Sequence, residues 1–209
     1  DRAVRPVALR HARGVRGLRL MWQCEEMAIP YERVLVTYPV PDAYRALHPL
    51  GSVPYLEDDA TGASMSESIA IMLYLATQYG PTELLPTKGD PRLPRVLQML
   101  AFSEATLGGP INALLAAQFG APDADKKNWS VRGLESRVEK SIAYIEGILG
   151  DGSYLAGDEL TLADLAITTS LGMWFGPLKK AASERMTAYR GRLAERPAYV
   201  RARAICDAT

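Results

Sequence analysis

The 209-residue chain carries only two cysteines, two histidines and three phenylalanines, and it has no net charge, with 24 basic and 24 acidic residues. Cys24 and Cys206 stand far apart and form no C-x-x-C pair. So few cysteines point to a reducing compartment and a cytoplasmic location, although two remain able to pair. Balanced charge gives no reason to expect nucleic acid or an anionic membrane surface as partner. Nor is there a long unbroken apolar run. The most apolar stretch, Leu160 to Leu178, is interrupted by Asp164, Gly172 and Gly176 and reads as a buried core helix, not a membrane span. The opening residues, Asp1-Arg2-Ala3-Val4-Arg5, are charged, so no signal peptide is expected; they lack an initiator Met, as a processed or incomplete N-terminus would. Repeats, low-complexity tracts, heptads and a metal-ligand cluster are all missing.

What is present is an ordinary globular composition, 48% hydrophobic and 23% charged. The length suits one large domain or two small ones. Gly80 to Pro91 holds three prolines and two glycines and punctuates the chain as a linker. Three segments follow: a domain at 1–80, a linker at 81–91 and a second domain at 92–209. In the first, Pro6–Arg10 reads as a strand, and Leu18, Met21, Trp22 and Met27 mark one face of a helix. Tyr31–Val36 is rich in strand formers, and Pro54–Glu57 and the residues up to Met65 flank a turn at Asp58–Gly62. Ile71, Met72, Leu75, Ala76 and Tyr79 form a helical stripe. The order βαβ, crossover, ββα is that of an α/β thioredoxin-like sheet. After the linker every pattern is helical: Val131, Leu134, Val138, Ile142, Ile145 and Leu149 recur at three and four. Thr161-Leu162-Ala163-Asp164 looks like a capping box opening the most apolar helix, so Thr161 and Asp164 are read as serving the fold. Pro197 is expected to interrupt the last helical region.

Leu50-Gly51-Ser52-Val53-Pro54-Tyr55-Leu56, Ser66-Glu67-Ser68-Ile69-Ala70-Ile71 and Tyr74-Leu75 resemble the N-terminal domain of the glutathione transferase family. Gly157 to Asp164 resembles a motif of its all-helical C-terminal domain, and Arg19, Trp22, Glu25, Glu26 and Ile29 to Glu32 match its first helix and second strand. The resemblance implies a cis bond before Pro54, with the backbone of Val53 pairing to the cysteinyl unit of glutathione as a short added strand. It also implies that the helix opened by Glu67 and Ser68 receives the γ-glutamyl carboxylate, with Glu67 facing the ammonium and Ser52 as a further contact. Read from the residues alone, Pro54 is equally a plain turn proline, and Ser66 with Glu67 an ordinary helix cap.

The family usually activates the thiol with a Tyr, Ser or Cys at the end of the first strand. Here the loop is Arg10-His11-Ala12-Arg13-Gly14-Val15-Arg16-Gly17, with none of these; family serines or cysteines align near Gly14. Arg13, Arg16 and His11 are the candidates left, together with backbone N–H groups around Val15 to Gly17. Cys24, well inside the helix, is read as core. Family analogy places an apolar co-substrate pocket at Ser103, Leu107, Asn112 and Trp174, where the residues alone read as helical core. The implied function is conjugation of glutathione, a co-substrate with no permanently bound cofactor, to a small hydrophobic electrophile by a homodimeric detoxification enzyme. The alternative is a non-catalytic glutathione carrier of the same fold; a cysteine-based redox enzyme is a distant third.

Overall fold

The computed structural model describes residues 5–13 and 15–208, with the side chain of Val15 left aside. The loop position Gly14 and the start Asp1 to Val4 lie outside the described residues. Two compact units are seen. The first comprises the chain through Thr82 together with Ala194–Thr209, and the second is Glu83–Leu193.

The first unit holds β1 (Val7–His11), α1 (Val15–Met27), β2 (Tyr31–Leu35), α2 (Asp42–Leu47), β3 (Tyr55–Asp58), β4 (Ala63–Ser66) and α3 (Ser68–Gln78). The sheet order is β2-β1-β3-β4. β1 runs parallel to β2, while β3 is antiparallel to both β1 and β4. This is the thioredoxin-like arrangement expected of the order βαβ-ββα. Alternate residues of β1, Val7, Leu9 and His11, are buried, as a half-covered strand requires. Helix α1 is buried over a wider arc than its apolar stripe, taking in Leu20, Gln23, Cys24 and even Arg19. It packs on the sheet, on α3 and on the C-terminal helix α9 (Pro197–Asp207).

The last point differs from the expected 92–209 boundary. Pro197 stands where the last helical region breaks, between a helix at Glu184–Ala194 and α9, and it occupies the first turn of α9, where its missing N–H costs nothing. Arg196, just before it, donates Nε to Glu26 Oε1 at 2.7 Å and Nη2 to Oε2 at 2.9 Å, and Tyr199 meets Trp22 edge-on at 4.9 Å. These contacts return the final helix to the first unit. Burial alone would raise the Glu26 carboxyl, but the hydrogen bonds from Arg196 and Trp22 and the Arg196 and Arg201 charges outweigh it and hold it below the ordinary range. A carboxylate depressed in the folded state stabilises above its unfolded pKa, and that gain is lost as pH falls through the folded one. Arg196→Met is therefore expected to cost about 2 kcal/mol in urea unfolding at pH 7. The difference from the unsubstituted chain should shrink below about pH 4.

The second unit is helical throughout: α4 (Leu93–Phe102), α5 (Gly109–Gly120), α6 (Trp129–Leu149), α7 (Leu162–Phe175) and α8 (Glu184–Ala194, its last residue passing to the first unit). A π-helical stretch, Ser103–Gly108, joins α4 to α5 just ahead of Pro110. Helix α7 is buried at every position from Leu162 to Leu171, which explains its lack of a polar face. Among the described residues no helix is long and apolar enough to cross a membrane. The linker is tied down where Leu84 C=O accepts the N–H of Leu162 at 2.8 Å.

Candidate functional site

The β3–β4 hairpin is where the site begins. Its ladder runs from Asp58 opposite Ala63 to Tyr55 opposite Ser66. The chain entering β3, Val53–Pro54, and the chain leaving β4, Glu67–Ser68, therefore lie at the same end of one hairpin. That register explains why the two dipeptides must keep their spacing in sequence.

The entering segment is held on several sides. Gly51 adopts φ +64°, a left-handed value that a side chain tolerates poorly, and its N–H donates to His48 C=O at 2.8 Å. Tyr44 Oη donates to Ser52 C=O at 2.6 Å, and His48 Nε2 lies 2.8 Å from Ser52 Oγ. The His48 ring stacks on Tyr55 at 5.2 Å. Val53 packs its side chain against the small cluster of Val36, Tyr44 and Tyr55. The Val53–Pro54 bond is cis. Among the described residues no hydrogen bond is seen to the backbone of Val53, which lies outside the ladder. In the sequence, the support that His48 gives Ser52 is signalled only by the four-residue spacing around a Pro-Leu-Gly turn.

The leaving segment opens α3. Glu67 is the N-cap residue, at φ +69° and ψ 103°, and no side chain caps the helix. The ordinary Ser66 cap is thus not the one formed. Glu67 is exposed, while Ser68 is buried and its Oγ accepts from Arg19 Nη1 at 3.0 Å. With its oxygen engaged by a guanidinium, the Ser68 hydroxyl keeps its own proton for a further acceptor. The far end of the hairpin is pinned to the same helix. Asp58 Oδ2 accepts from Tyr74 and Tyr79, each at 2.7 Å, and Oδ1 accepts the N–H of Ala60 at 2.9 Å. Burial pushes the Asp58 carboxyl up, and these donors pull it net below its usual range.

The first loop is less regular. His11 ends β1 almost fully buried, its Nδ1 2.8 Å from Ala12 C=O. A carbonyl can only accept, so Nδ1 carries the proton and Nε2 the lone pair, and Nε2 meets no partner among the described residues. Burial lowers the His11 pKa, against the Ala12 carbonyl and with help from Arg33, so the ring is neutral at neutral pH. Gly17 is there because a Cβ would lie 2.9 Å from the His11 ring. Arg13 is exposed and Arg16 half-buried in the first turn of α1. Burial and the neighbouring Glu25 drive the Cys24 thiol far above its usual range, so it supplies no thiolate. Among the described residues, no group of three or more potential metal ligands is assembled.

In the second unit Ser103, Leu107 and Trp174 are core residues. Ser103 Oγ donates to Leu100 C=O at 2.7 Å, and Ser103 C=O accepts from Ser170 Oγ at 3.0 Å. Asn112 alone of the four is half-exposed.

Known proteins resemble this chain in sequence and fold. The family model for the glutathione S-transferase N-terminal domain matches residues 17–83, and that for the glutathione S-transferase C-terminal domain matches 111–199. Glutathione S-transferase 3 of Schizosaccharomyces pombe is 30% identical over 172 residues, covering 76% of this chain and 70% of that protein. Glutathione S-transferase GstB of Escherichia coli K12 is 26% identical over 153 residues, 71% of this chain and 73% of its own. A glutathione transferase crystal structure from Methylococcus capsulatus superposes with a TM-score of 0.83 at 26% identity, covering 96% of this chain and 98% of that one. The glutathione transferase URE2P8 of Phanerochaete chrysosporium, solved with oxidized glutathione, shares the fold with a TM-score of 0.85 at 19% identity, over 99% and 97% of the two chains.

Proposed function

The chain belongs to the glutathione S-transferase family, and we propose that it binds glutathione at the β3–β4 hairpin end and transfers its sulfur to a small hydrophobic electrophile. The observation that carries this reading is the hairpin register, which brings the Val53 backbone and the uncapped start of α3 to one place. The Val53 N–H and C=O serve the cysteinyl unit as an added strand would. The free first-turn N–H groups of α3 and the Ser68 hydroxyl receive the γ-glutamyl carboxylate, and Glu67 pairs with the ammonium beside it. Ser52 is a further polar contact.

A free thiol ionises near pH 8.5, so only a few per cent is thiolate at neutrality, and about two units of depression correspond to roughly 2.7 kcal/mol. The positive end of α1, together with Arg13 and Arg16, supplies that bias in place of a hydroxyl or thiol side chain. Neutral His11 can accept a proton at Nε2 but offers no cation. Electrophile contact is assigned to the second unit near Asn112. A homodimer and a cytoplasmic location complete the proposal, the latter suited by Cys24 and Cys206 forming no disulfide.

Glutathione should bind at least tenfold more tightly than cysteinylglycine, which lacks the γ-glutamyl group, as read by calorimetry. Turnover should follow with some member of a panel of aryl halides, epoxides, isothiocyanates and peroxides. Tight binding with no turnover and no depression of the bound thiol pKa would leave a carrier instead. The Arg13→Ala, Arg16→Ala double variant should move the pH profile of kcat/KM upward by about one unit, because removing cations disfavours the thiolate. Activity at pH 6.5 should fall about tenfold and at pH 9.5 hardly at all. Sedimentation equilibrium reads the dimer.

A further inference from the structure

Helix α1 meets α3 through two polar contacts one turn apart. Arg19 Nη1 donates to Ser68 Oγ at 3.0 Å, and Gln23 Nε2 donates to Met72 C=O at 2.8 Å. Donors and acceptors are each four residues apart, so one face of α1 is registered against one face of α3. All four residues are buried. An arginine keeps its charge even there. The register therefore fixes a cation beneath one particular hydroxyl, that of the first residue of α3.

That hydroxyl stands at a helix start with no side-chain cap. The Ile71 N–H bonds back to Glu67 C=O at 2.9 Å. The N–H groups of Ser68, Ile69 and Ala70 precede it and are those a helix start leaves outside the helical ladder. A hydroxyl accepts through its lone pairs and donates through its single proton. With the guanidinium on a lone pair of Ser68 Oγ, the proton turns away from Arg19. A charged donor also polarises the O–H it bonds, which strengthens that hydroxyl toward its own acceptor. The gain is largest when this acceptor is an anion. The Gln23 contact supplies the contrast. It joins the same two helices, but it ends on a backbone carbonyl one turn inside α3 and fastens the packing alone.

We propose that Arg19 is a positioning residue that acts through Ser68 and makes the start of α3 select a carboxylate over its neutral carboxamide. The inference rests on the glutathione reading above, in which that carboxylate belongs to the γ-glutamyl unit. Arg19 stays behind Ser68 and bears on the ligand only through its hydroxyl.

Calorimetry on the full chain tests this with two probes, glutathione and its analogue with the γ-glutamyl carboxylate converted to a carboxamide. The unsubstituted chain should bind glutathione at least thirtyfold more tightly than the carboxamide, on the order of one charge-assisted bond. Arg19→Met should weaken glutathione about tenfold and the carboxamide by less than about threefold, so most of the preference disappears. Arg19→Gln keeps an N–H donor without the charge; it should retain a preference of about fivefold, and it reads the effect if Arg19→Met fails to fold. Adding Ser68→Ala to Arg19→Met should weaken glutathione by less than about threefold more, because both remove one shared donor; independent residues would multiply to about a hundredfold. Gln23→Met should lower the melting temperature yet leave the preference within about twofold. A preference unchanged in Arg19→Met or Arg19→Gln, an equal loss in Gln23→Met, or multiplying effects of Arg19→Met and Ser68→Ala would each overturn the proposal. An unsubstituted chain that binds glutathione no more tightly than cysteinylglycine is a separate outcome, which would sink the glutathione reading itself and this proposal with it.

Discussion

Asp164→Ala is expected to destabilise the helical unit by about 4 kcal/mol, more than any other single substitution considered. The carboxylate is completely buried and accepts four hydrogen bonds. Oδ1 takes the Leu155 N–H at 2.9 Å and the Tyr189 hydroxyl at 2.8 Å, while Oδ2 takes the Thr161 N–H at 2.9 Å and its hydroxyl at 3.0 Å. These bonds join the start of α7, the loop before it and α8. Truncation to alanine leaves buried donors facing a void, and each costs about 1–3 kcal/mol, although the sum is not additive. Asp164→Asn keeps one oxygen but turns an NH₂ toward donors, so about 2–3 kcal/mol is expected. Tyr189→Phe removes one of the four bonds and should cost about 1–1.5 kcal/mol. Urea unfolding followed by circular dichroism reads all three. A loss under 1.5 kcal/mol for Asp164→Ala would show that water or rearrangement replaces the carboxylate.

Glu67→Gly is expected to separate stability from binding, with the two moving in opposite directions. At φ +69° the native residue carries backbone strain of about 1–2 kcal/mol that glycine does not. Unfolding stability should therefore hold or rise by about 1 kcal/mol, offset by the looser unfolded chain. Glutathione affinity should fall at least tenfold, about 1.4 kcal/mol or more, because the ammonium loses its carboxylate. Ser68→Ala should also weaken glutathione about tenfold, but with a loss of stability near 1–2 kcal/mol, since it removes the oxygen that buried Arg19 bonds. The contrast matters. If Glu67→Gly lowered stability and left glutathione binding intact, the strained residue would serve the fold and the assignment of the ammonium contact would fail.

Some of this was plain from local pattern. The stripe Ile71, Met72, Leu75 and Ala76 is buried in α3 as its spacing predicts, and Val138, Ile145 and Leu149 do the same in α6. Such stripes are legible because periodic burial follows from one helix meeting one surface. Arg19 was not legible as a buried group: it lies within an apolar run, and only the packing of α1 among the sheet, α3 and α9 puts its guanidinium under Ser68.

By itself the sequence determined the layers of both units, because turn chemistry and periodicity are local properties written into neighbouring residues; the two dipeptides, Val53–Pro54 and Glu67–Ser68, stood out through their resemblance to a known family. Tertiary structure alone decided that α9 returns to the first unit through Arg196 and Glu26. It likewise decided that Ser68 is backed by Arg19. Each of those outcomes depends on partners distant along the chain, and nothing in the spacing of neighbours encodes which distant group a side chain will meet.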